Sequence, residues 1–244
     1  MPKYNEQNLK KGSESKNKLI IKPQTVDGEF DYLWSLLQKM PFYIKNGYSI
    51  SLPDNQNFQR LIDNPETLKT VNKDDSRQLF IKKVYDPLFF RLGLDVLNAE
   101  RHKIEVVFPD FQKFNDQWGF KLFPQYQIHL TRYGPGGSYN SNTGVIIMMA
   151  KADGSFKRQN PLHSIIHELI HIGIEDVIVK KYGLTHWEKE RVVDKICVLR
   201  FGLILPGYEL QKKGITAIDT YVNNESINNL PAAIEKYIKD NPRD

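Results

Sequence analysis

An α+β fold is what this sequence predicts, on three observations. Three strand candidates are grouped between residues 103 and 150, two long helical segments follow them, and strand and helix do not alternate strictly. A chain of 244 residues buries roughly 70–75% of the surface its unfolded form exposes, so it needs no disulfide or oligomer merely to fold. Apolar residues make up 40% and aromatics 11%, the balance of a soluble globular protein.

The chain opens on a polar, Lys-rich stretch, residues 1–24. It carries six lysines against two glutamates, and the remaining 220 residues hold 28 basic and 27 acidic side chains. Most of the net charge of +5 therefore sits in this leader and the body is nearly neutral. That distribution argues against a nucleic-acid partner and predicts a flexible, solvated segment. The leader contains no apolar h-region, and no apolar run approaches the 18 or so residues of a membrane helix. Cys197 is the single cysteine, which excludes an internal disulfide and favours a reducing compartment. A cytoplasmic location without membrane attachment is the expectation.

Residues 25–100 read as a mainly helical region carrying no chemical motif. Phe30–Met40 has helical spacing and is stopped by Pro41. Residues 41–74 alternate polar loops with short apolar pieces, broken at Pro53 and Pro65. Gln78–Asn98 is helical in parts, with a break at Pro87. From residue 101 onward the pattern is more regular. Lys103–Phe108 (KIEVVF), Gln125–Tyr133 (QYQIHLTRY) and Gly144–Ala150 (GVIIMMA) are the strand candidates, the last two separated by a glycine-rich turn. A long helix starts at Asn160-Pro161, where Asn can cap and Pro suits the first turn, and it stops near Gly183. A second helix begins at Thr185, which forms a capping box with Glu188. Pro206-Gly207 ends that segment, and two short helices follow, around Thr216–Val222 and Pro231–Lys239.

The first long helix carries His167-Glu168-Leu169-Ile170-His171, an H-E-x-x-H pattern. Residues four apart lie on one helix face, about 6 Å apart along the axis. Two imidazoles so placed can converge on one zinc ion at roughly 2.0–2.1 Å each. Glu168 then reaches a metal-activated water and serves as general base. His163, one turn earlier, lies about 12 Å from His171 along the axis, too far to join the same ion. Small Gly173 allows close packing of the helix.

Catalytic zinc takes three protein ligands, so a third must come from elsewhere. His186, Glu188 and Glu190 are the candidates. Glu188 has a competing role in the capping box. Glu190 lies one turn before Asp194, so the two carboxylates face the same way. Glu190 suits the metal, and Asp194 suits the ring N–H of a ligand histidine. His186 is the alternative third ligand, and a non-catalytic interaction protein is the alternative function. A structural zinc site rich in cysteine does not fit a chain with Cys197 alone.

His167-Glu168-x-x-His171 followed by Glu190-x-x-x-Asp194 resembles the gluzincin group of zinc metallopeptidases, over roughly residues 126–205. The resemblance implies a zincin-like fold: a small mixed sheet on the active-site helix, and a second helix bringing the third ligand. It implies Glu190 as that ligand and Asp194 as its supporting carboxylate. It implies that Gly144, Val145, Ile146, Ile147, Met148, Met149 and Ala150 form a sheet-edge strand that pairs with extended substrate. It also implies Tyr182 as a donor to the oxyanion; His186 is a second candidate for that role on its position alone. Lys189 stands where many members have asparagine. The function so implied is zinc-dependent hydrolysis of a peptide or protein substrate.

Overall fold

The computed structural model describes residues 18–242. The fold is mixed α+β, with a four-stranded sheet and nine α-helices among the described residues. The strands are β1 (Lys18–Pro23), β2 (Gln125–Thr131), β3 (Gly137–Asn140) and β4 (Val145–Met149). The helices are α1 (Val26–Gln38), α2 (Met40–Asn46), α3 (Gln56–Asp63), α4 (Lys73–Lys83), α5 (Arg91–Glu105), α6 (Phe108–Trp118), α7 (Pro161–Ile174), α8 (His186–Phe201) and α9 (Leu230–Asp240). None of the described helices is long and apolar enough to cross a membrane.

The sheet order is β1-β2-β4-β3. β4 runs parallel to β2, with Gln127 opposite Val145, and antiparallel to β3, with Gly137 opposite Met148. The strand expected at the sheet edge, Gly144–Ala150, is therefore an interior strand paired on both sides. Ile146, Met148 and Met149 of this apolar run are buried, and Val145 and Ile147 are half-buried. The terminal strand on this side is β3, a short polar segment between glycines.

Three other expectations are corrected. Lys103–Phe108 is not a strand: it closes α5 and opens α6. Ile104, Val107, Phe108 and Phe111 are all buried, and their spacing of three, four and seven is a helical stripe. Lys18–Pro23, within the stretch expected to be flexible, forms β1, with Leu19 buried. The apolar Leu19-Ile20-Ile21 run outweighs the lysines around it. The flexibility expected of residues 1–17 lies outside the described residues. Residues 41–74 hold α2, α3, a 3₁₀ turn and the start of α4 besides the non-helical stretch at 47–55, and Pro41 sits in the first turn of α2. There its missing N–H costs nothing.

The described residues fall into two compact units. One comprises Ile21–Arg101 and Gln127–Ile172. Its core gathers Phe30, Leu33, Trp34 and Leu37 of α1 with Phe58 of α3, Phe80 of α4 and Tyr133. Phe80 is the hub, with ring centroids 5.6 Å from Phe30, 6.1 Å from Phe58 and 6.2 Å from Tyr133.

The other unit comprises His102–Tyr126 and the chain from Gly173 onward, with the residues up to Ile20. Phe120 stacks on Phe111 at 4.8 Å, and Phe111 meets Phe201 of α8 edge-on at 5.5 Å. Gly173 admits the Phe120 ring: a Cβ there would lie 1.9 Å from Phe120 Cζ. Overpacking of this kind costs about 3 kcal/mol when neither helix nor ring can move away. Gly173→Ala is expected to lower the melting temperature by about 6–12 °C, read by calorimetry. An unchanged melting temperature would mean that this packing is soft.

Candidate metal centre

α7 begins as its sequence dictates: the Asn160 side chain accepts the Leu162 N–H at 3.0 Å, and Pro161 occupies the first turn. The helix continues through a π-helical segment, Glu175–Lys180, and Gly183 ends it with a φ of 60°. Its apolar residues Ile165, Ile166, Leu169, Ile170 and Ile172 are all fully buried. That burial draws His167 and His171 in with them, at 6% and 2% exposure. Their Nε2 atoms are 2.9 Å apart and the rings are nearly perpendicular. Both lone-pair positions thus point at one place, as two ligands of a single ion require.

β3 shapes this pair from outside the helix. Tyr139 stacks on His171, with centroids 4.7 Å apart and planes 5° from parallel. Gly137 lies against Glu168: a Cβ at 137 would be 2.6 Å from Glu168 Oε1. Only glycine lets the strand backbone approach that carboxylate so closely. Neither residue was identified from sequence. The glycine-rich turn before Tyr139 was visible, but nothing local announced that it led into a strand beside the histidines.

α8 starts at Thr185, whose N–H and hydroxyl both donate to Glu188 Oε2 at 2.7 Å. Glu188 does more than cap the helix, because its Oε1 accepts the buried Tyr237 hydroxyl of α9 at 2.7 Å. Two turns of α8 then present Glu190 and Asp194, both buried. Asp194 accepts the Tyr208 hydroxyl at 2.7 Å and the Gln211 N–H at 2.6 Å. The Gln211 side chain donates to Glu190 Oε2, also at 2.6 Å. Asp194 therefore supports Glu190 through Gln211. Gln211 and Tyr208 were missed because a loop returns them to α8.

His167, His171 and Glu190 form a buried group whose ligand atoms all lie within 4.8 Å of one another. This group can hold a metal ion. His163, half-buried one turn before His167, is outside it. His186 places Nδ1 3.8 Å from Glu190 Oε1, and burial pushes its pKa down, towards the neutral imidazole. Tyr182 is half-buried near the end of the helical run, with the Lys181 ammonium 5.2 Å from its ring. Val145–Met149 are in β4, with Gly144 and Ala150 just beyond its ends.

Comparison with protein-family models, with curated proteins and with solved structures found no match. The gluzincin resemblance rests on the motif residues alone.

Proposed function

We propose that the protein is a zinc-dependent peptidase. The observation that carries this reading is the buried His167–His171–Glu190 group, with Glu168 next to the first ligand. Two imidazole nitrogens and one carboxylate oxygen suit zinc, and three protein ligands are the number that leaves a coordination position open for chemistry. Zinc held there supplies a Lewis acid that activates water and polarises a carbonyl. Glu168 accepts a proton from the attacking water and returns it to the leaving amine. His186, beside Glu190, is favoured over Tyr182 as donor to the developing oxyanion.

The substrate strand is reassigned from Gly144–Ala150 to β3. β3 ends the sheet order, and its Gly137 and Tyr139 contact Glu168 and His171. An extended peptide adding to this strand brings its own backbone beside the general base. A peptide library incubated with the zinc-loaded protein and read by mass spectrometry tests the function. Cleavage that stops on chelation is expected. An intact library with zinc bound stoichiometrically would point to the non-catalytic alternative.

A further inference from the structure

Glu29 of α1 is fully buried, the only acidic residue of that helix to be so. Its Oε1 accepts the Arg132 N–H at 2.8 Å, across 103 residues of sequence. Its Oε2 has no hydrogen-bond partner among the described residues. One turn along α1, Tyr32 shares a 3.1 Å hydrogen bond with Ser138 of β3. Helix α1 thus grips both ends of the β2–β3 connection through polar contacts. We propose that Glu29 is a proton-operated latch: its neutral carboxyl group holds α1 on the turn after β2, and its ionisation opens that contact.

The surroundings favour a neutral carboxyl group. Burial is the largest influence and pushes the pKa up to about 7, against the Arg132 amide, the Thr131 hydroxyl and the Arg132 guanidinium, which all favour the ionised form. The guanidinium is engaged elsewhere, donating to Val84 O at 3.1 Å and lying 4.2 Å from the Phe89 ring centroid. Tyr32 on α1, Tyr85 after α4 and Tyr133 after β2 also face this carboxyl group, and burial raises the pKa of each. The cations of α4 are taken by other acids of α1: Arg77 pairs with Asp27 and Asp31, and Lys73 with Asp31. Glu168 also faces Tyr32, and Asp86 faces Tyr85.

A raised carboxyl pKa stabilises the closed form fully below pH 4.5, the ordinary value, and the gain is lost as pH rises through about 7. With those two values, the contact opens about 25-fold more often at pH 8 than at pH 5.5. The latch concerns the connection into β3 and holds whether or not the metal group is catalytic.

Hydrogen exchange of the full chain, corrected for the intrinsic pH dependence of exchange, reads the latch at the Arg132 amide. Wild type is expected to lose about 25-fold of protection at Arg132 between pH 5.5 and 8. Glu29→Gln, which keeps an oxygen acceptor but cannot ionise, should show a flat profile. Equal protection of the wild type at both pH values, or an unchanged pH dependence in Glu29→Gln, would overturn the proposal. Carboxyl NMR of the wild-type protein provides a second measurement that does not depend on the variant folding. A Glu29 midpoint near 7 supports the latch, and one below 5.5 refutes it.

Discussion

Glu168→Gln is expected to bind zinc as the wild type does and to lose most peptide hydrolysis. The amide keeps the size of the side chain and its place beside Gly137. It removes only the ability to accept a proton, a loss that typically costs about 10²–10⁴ in rate. Zinc content by mass spectrometry and turnover of a peptide cleaved by wild type are the two readings. Wild-type turnover in this variant would end the proposed role of Glu168. Loss of zinc along with activity would instead show that Glu168 supports the ligands.

Glu190→Ala is expected to abolish zinc retention. Glu190 supplies the only carboxylate oxygen in the ligand group, and two imidazoles alone leave zinc without its usual third protein ligand. Gln211→Ala should behave differently. It removes the 2.6 Å hydrogen bond that fixes Glu190 Oε2 while sparing every ligand, a change that typically costs about 10–100-fold in affinity or activity. Zinc titration calorimetry separates the two. Retention of zinc by Glu190→Ala, with its loss in His186→Ala, would move the third ligand to His186.

The parts of the site that lie on one helix were legible in the chain. His167 and His171 are one helical turn apart, and so are Glu190 and Asp194, and helix geometry alone makes each pair share a face. The caps at Asn160 and Thr185 were legible for the same reason, since a side chain bonds to a backbone group two or three residues away. Such contacts need nothing from the rest of the molecule.

Where a partner lies far along the chain, local pattern misled. KIEVVF contains one apolar turn of helix, and six residues are too few to tell that from a buried strand. Its helical identity emerges only with Phe111, which extends the stripe. β4 has the apolar content of any strand, and its interior place in the sheet depends on β3, a strand that no local preference predicts. Gly137 is glycine because Glu168 occupies the space where a side chain would be, and Gln211 matters because a loop carries it back to Glu190. Residue spacing within a helix is set by 1.5 Å of rise per residue. Strand order, loop return and the burial of Glu29 are set by pairings tens of residues apart, whose energy exists only once the chain has closed those loops.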